Sequence, residues 1–178
     1  MIKMVKVMQL EITLNGSKPR IWRRFQVEEN ITFLDLHYII QTIMGWSCSH
    51  LYIFDIDGLE LGDSGPYDKS ENPEKYKLSK LLEKGMWFKY TYDFGDDWEH
   101  IIKVEDILKK EDKKYPLVIK GKNACPPEDV GGIWGYADFL EATSDKNHPR
   151  HKEMKEWYDF DFDPKKFNLE IINKELQN

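Results

Sequence analysis

The element order in this chain is strand, strand, helix, strand, short strand, helical turn, strand, and it predicts an α+β fold. The specific expectation is a β-grasp, ubiquitin-like mixed sheet with one packed helix, followed by a C-terminal cap of short helices. A change of character along the chain supports it. Alternating apolar residues fill residues 1–110, and short, broken helical patterns fill residues 111–178. The second stretch is too small and interrupted to bury a core of its own. It is expected to pack on the sheet within one compact domain.

The first strand comes from "MVKVMQLEITL". Val5, Val7, Gln9, Glu11 and Thr13 take one side, and Met4, Lys6, Met8, Leu10, Ile12 and Leu14 take the other. Asn15-Gly16 and Pro19 supply turn chemistry. Ile21, Arg23, Phe25 and Val27 then resume a single face, which predicts a hairpin. Thr32 is placed to cap a helix, and Asp35 falls in its first turn, where the helix dipole favours a carboxylate. Phe33, Leu36, Ile40 and Ile43 form its apolar stripe, Ile39 widens it, and Gly45 ends it. Two short strands flank Asp57-Gly58. A polar loop, "DSGPYDKSENPEKY", leads to a helical turn that Ser79 can cap and Gly85 can stop.

Two further strands follow. Phe88, Tyr90, Tyr92 and Phe94 share a face of the first, and Trp98, His100, Ile102 and Val104 share a face of the second. Gly95 is expected to take the left-handed conformation in the turn between them. Beyond residue 110, Tyr136, Phe139 and Leu140 mark one helix. Pro149 opens another, on which His151, Met154, Trp157 and Tyr158 share a face, and Asn168 can cap a last one.

The 178 residues are 40% hydrophobic and 33% charged, a soluble globular composition. Six tryptophans and 13% aromatics point to a core rich in rings. A net charge of -6 argues against nucleic acid as the partner. The local exception is "SKPRIWRR", where Lys18, Arg20, Arg23 and Arg24 are candidate phosphate contacts. Cys48 and Cys125 form neither a disulfide framework nor a CxxC pair, and the first residues lack a cleavable signal pattern. Reduced thiols in a cytoplasmic protein are the expectation. No apolar run is long enough to cross a bilayer, so no membrane is expected.

Two segments carry the candidate chemistry. In "YTYDFGDDWEH", His100 holds an apolar-parity position close to Asp93, Asp96 and Asp97. It reads either as a partly buried ring bonded to a backbone carbonyl or a carboxylate, or as a general base or metal ligand. In "ACPPEDVGGIWGY", Pro126-Pro127 stiffens the chain and Gly131-Gly132 allows close backbone approach. Glu128 or Asp129 can cap the helix that follows or face a ligand. The candidate pocket is therefore Asp93, Asp96, Trp98, His100, Cys125, Glu128 and Asp129, provided the two loops meet. Cys125 would need a histidine neighbour and a lowered pKa to act as a nucleophile. Cys48-x-His50 and His148-x-x-His151 are ligand-like pairs, but neither matches a strong metal motif. Phosphate-loop and GxSxG signatures are absent. No cofactor is expected.

"PRIWRRFQV", "LDLHYIIQTIMGW", "YTYDFGDDWEH", "ACPPEDVGGIWGYADFLEA" and "HPRHKEMKEWYDFDFDPKKFNL" together resemble the plasmid pRiA4b ORF-3-like family. The resemblance implies a protein carried on plasmids and transposable elements, in a family where the label transposon resolvase also occurs. It implies no catalytic residue. A recombinase would need a nucleophile among clustered arginines, and Arg20, Arg23 and Arg24 are the only dense group. The expected function is a non-catalytic accessory module binding a ligand, protein or peptide. One alternative is a metal-assisted hydrolase between the two motif loops. Another is nucleic-acid binding through "KPRIWRR".

Overall fold

The computed structural model describes residues 5–63, 69–158 and 161–178. Met4, residues 64–68 of the polar loop and residues 159–160 lie outside them. The elements are β1 (Lys6–Leu14), β2 (Trp22–Glu28), α1 (Phe33–Met44), β3 (Tyr52–Ile56) and β4 (Leu59–Asp63), then a 3-10 turn (Pro73–Lys75), α2 (Leu78–Leu81), β5 (Trp87–Tyr92), β6 (Trp98–Lys109), β7 (Leu117–Lys122), α3 (Gly132–Ser144), α4 (His151–Trp157) and α5 (Leu169–Glu175).

Among the described residues, seven strands form one sheet in the order β4-β3-β5-β6-β1-β2-β7. All six pairings of these strands are antiparallel. This corrects the expected β-grasp. In that fold the first strand lies beside the last in parallel. Here β5 does run in the direction of β1, but β6 is inserted between them and pairs with both. The twelve residues of β6 are long enough to do so. The extra strand sits at the centre of the sheet, where it removes the parallel contact. β7, drawn from the later stretch, joins the sheet beside β2.

One face of the sheet is dry and the other wet, as antiparallel sheets allow. Met8, Leu10, Ile12, Phe25, Val27, Phe54, Phe88, Tyr90, Ile102 and Val104 are buried. The opposite face carries Gln9, Glu11, Arg24, Gln26 and Glu105 in a hydrogen-bonded network. α1 covers the dry face. Its Phe33 ring meets Phe54 and Phe88 edge-on at centroid separations of 5.3 and 6.1 Å. Thr32 and Asp35 form a reciprocal capping box, and Gly45 ends the helix in the left-handed conformation at φ 83°.

Arg23 falls on the dry face, at a position the alternation assigns to an apolar residue. It is buried, and its guanidinium donates to the carbonyls of Ile43, Trp22, Lys122 and Asn123 and to Cys125 Sγ. It thereby joins α1, β2 and the start of the Cys-Pro-Pro loop.

Each sheet edge is partly covered. The Asn173 side chain on α5 accepts from Val118 N at 2.7 Å and donates to Val118 O at 2.9 Å, as a neighbouring strand would. At the other edge Glu71 bonds the backbone of Glu60 and Gly62 in β4.

Local expectations change at several points: Gly85 lies beyond the Leu82 end of α2, and Pro149 lies ahead of the Arg150 cap of α4. The strand before the motif turn stops at Tyr92, because Asp93 turns left-handed at φ 57°, and Phe94 is therefore 44% exposed. The left-handed residues of that turn are Asp93 and Asp97, not Gly95. α2 starts after Lys77, which leaves Ser79 inside the helix instead of at its cap.

Candidate functional site

The two motif loops meet, and a third segment meets them. β5 ends at Tyr92 and β6 begins at Trp98, leaving residues 93–97 as a tight loop. Asp97 N donates to Asp93 O at 2.6 Å, and Asp93 Oδ1 accepts from Gly95 N at 2.9 Å. Asp96 reaches out of this loop. Its Oδ2 accepts from Gly131 N at 3.1 Å, placing a carboxylate at the N-terminus of α3, where the helix dipole favours it. The cap of α3 thus comes from across the fold, and neither Glu128 nor Asp129 supplies it. Gly131 and Gly132 are both left-handed, at φ 99° and 68°. A Cβ on Gly132 would collide with the Asp96 carbonyl oxygen.

The third segment is "GWSCSH", which follows α1. Trp46 stacks on Tyr92 and Trp98 at 5.2 and 5.9 Å, and its Nε1 donates to Pro126 O at 3.1 Å. The backbone of Cys48 donates to Gln41 Oε1, and Ser49 N donates to the Tyr92 hydroxyl. Glu128 closes the arrangement. It accepts from the Tyr92 hydroxyl at 2.7 Å and from Ser47 N at 3.1 Å. Burial works to raise the Glu128 carboxyl, but the bonds from Ser47 and Tyr92 outweigh it and hold it below the usual carboxylate range. Burial and the same carboxylate push the Tyr92 phenol up to about 12.

These ties bring His50 to the junction. His50 Nε2 lies 3.6 Å from Asp93 Oδ2 and 3.2 Å from Asp129 Oδ1. One ligand atom from each of the three residues falls within 4.8 Å of the others. Cys48, Asp93, Asp97 and Asp129 all hold positive φ near this point, so backbone strain concentrates here. Two exposed aromatics stand close by in the chain. Phe94 follows Asp93, and Trp134, 86% exposed, lies in the first turn of α3. Clefts of about 320 and 260 Å³ flank residues 125–130 and share Trp157.

Of the sequence-derived candidates, Asp93, Asp96, Glu128 and Asp129 converge. Trp98 and His100 lie beneath them, fully buried. His100 Nδ1 contacts Tyr90 O at 3.2 Å and no carboxylate, and burial pushes its pKa down to about 4. Its ring takes the bland role of the two weighed for it. Burial raises the Cys125 thiol despite the nearby Arg23 charge, which is the wrong direction for a nucleophile. The basic segment presents little free charge. Arg23 is buried, Arg20 pairs with Glu11, and Arg24 pairs with Glu11 and Glu105, while Lys18 is exposed. His148 and His151 bond to Arg150 N and Ala142 O respectively, so they do not act as a pair. Sequence reasoning missed His50, Tyr92, Ser47 and Ser49. The one signal was the Cys48-x-His50 spacing, and it pointed partly at the wrong residue.

The family described as plasmid pRiA4b ORF-3-like protein matches residues 6–171. "Uncharacterized protein y4hQ" of Sinorhizobium fredii (strain NBRC 101917 / NGR234) is 38% identical over 180 residues, covering 97% of this chain and 91% of that one. The crystal structure of a protein of unknown function, MM3350 from Methanosarcina mazei Go1, is similar with a TM-score of 0.87 and 38% identity. That match covers 95% of this chain and 98% of the other. No helix among the described residues is long and apolar enough to cross a membrane.

Proposed function

This chain belongs to the plasmid pRiA4b ORF-3-like protein family, and from that premise we propose that it is a non-catalytic accessory module whose binding face is the junction of residues 45–50, 93–97 and 125–134. The observation that carries the reading is the way Glu128 and Asp96 tie three loops into one shape while the half-buried His50 and the exposed Asp129 stand over the buried Asp93. A scaffold so heavily bonded is preorganised, and that lowers the ordering cost of binding. The flanking clefts and the exposed Trp134 and Trp157 supply apolar area beside the polar centre. The groups that catalysis would recruit point elsewhere. His100 is sealed in the core, and the Cys125 thiol is held protonated.

The test is a small-molecule and peptide library screened by amide NMR. Binders are expected to shift resonances of residues 45–50, 93–97 and 125–134, with Trp157→Ala weakening them. Binders that act only on the wet sheet face, or turnover of a substrate by the purified protein, would refute the proposal.

A further inference from the structure

We propose that His50 Nε2, Asp93 Oδ2 and Asp129 Oδ1 form a site for one divalent transition-metal ion, Zn²⁺ by preference. The inference deepens the binding-module reading and rests on it.

The donor separations fit an ion. Ligands about 2.1 Å from a tetrahedral centre stand about 3.4 Å apart. The two separations from His50 Nε2, 3.2 and 3.6 Å, bracket that value. Both approaches are ion-pair contacts, and among the described residues neither is a hydrogen bond.

Asp93 supplies an independent observation. Its side chain is nine-tenths buried, at 10% exposure. Oδ1 is satisfied by Gly95 N and Asp96 N, at 2.9 and 3.4 Å. Oδ2 accepts no hydrogen bond among the described residues and is aimed at the His50–Asp129 gap. The bonds on Oδ1 are the outer-shell support that ligating carboxylates usually have.

The donor types choose the metal class. An imidazole nitrogen with two carboxylates suits zinc and its transition-metal neighbours, whereas Mg²⁺ and Ca²⁺ favour all-oxygen sets. Three protein donors leave a fourth position. Asp129, with a side chain 70% exposed, puts that position on the solvent side, where a ligand of the module can reach it.

The test is calorimetric titration of chelator-stripped, tag-free protein with ZnCl₂ and, separately, MgCl₂. One equivalent of Zn²⁺ is expected, with much weaker Mg²⁺ binding. His50→Ala and Asp129→Asn should each lower Zn²⁺ affinity by about tenfold or more, and His148→Ala should not change it. Asp93→Asn disturbs the turn and can unfold the loop, so the largely exposed Asp129 decides, with melting curves confirming that its variant is folded. A wild-type protein that binds no Zn²⁺, or variants that bind it as tightly as wild type, would overturn the site. Organic binders that still map to the junction in that case would leave the module reading standing. Zn²⁺ binding here with organic binders mapping elsewhere would do the reverse.

Discussion

Arg23 spends its charge on backbone. Five acceptors surround the guanidinium, four of them main-chain carbonyls, and none of its bonds goes to a carboxylate. Phe167 lies against it at 4.6 Å from the ring centroid. An apolar substitute would leave several buried carbonyls without donors, each costing about 1–3 kcal/mol. Arg23→Met is therefore expected to lose about 3 kcal/mol or more in urea unfolding. Arg23→Lys should recover only part of that, because an ammonium lacks the planar fork that spans separate carbonyls. A loss below about 1 kcal/mol in the Met variant would mean that the carbonyls find water instead. At this scale the sequence was half legible. The alternation put Arg23 among Ile21, Phe25 and Val27 correctly, but its partners come from residues 43 and 122–125, which no local pattern connects. His50 was obscured for the same reason. Its chemistry depends on two aspartates from distant loops.

Loops and helices were read best where their signals are local. The capping box of α1, its Gly45 stop and the Asn168 cap of α5 appear where residue type places them. Hairpin partners were legible from their turns, and β1–β2 and β5–β6 pair as expected; partners distant in sequence were not, since alternation reports which face is buried and not which strand lies alongside. β1 pairs with β6 across roughly ninety residues, Leu14 opposite His100. The docking of α3 against the motif turn is a contact between elements, and it can be isolated. Gly132 and Gly45 are both left-handed, at φ 68° and 83°, but a Cβ at Gly45 meets open space. Gly45→Ala should cost about 1–2 kcal/mol, from conformation alone. Gly132→Ala should cost about 2 kcal/mol more, because Asp96 must also give way. Thermal melts of the two variants make the comparison. Equal costs would show that the approach of α3 to the turn is soft.

For the molecule as a whole, two buried imidazoles set the response to acid. Burial pushes both His37 and His100 down to about 4. The unfolded chain protonates them near 6.5, so between those values it binds more protons than the native state. Stability is then full above about pH 6.5 and falls as pH drops toward 4, by on the order of 3 kcal/mol for each ring. Glu128 acts in a lower window. Its depressed carboxyl contributes stability that disappears only as pH falls through the folded value, below the usual carboxylate range. Urea midpoints measured from pH 7.5 to 4.5 should decline, and His100→Gln should flatten the curve; an unchanged slope in that variant would count against a neutral buried ring. A different whole-molecule property follows from the amide of Asn173 posing as a strand opposite Val118, with Glu71 guarding the far side. Among the described residues these contacts occupy part of each outer strand, leaving less free backbone for another copy to pair with. Solutions should stay free of fibrils even when concentrated, and shearing off the last helix would remove that safeguard at one margin.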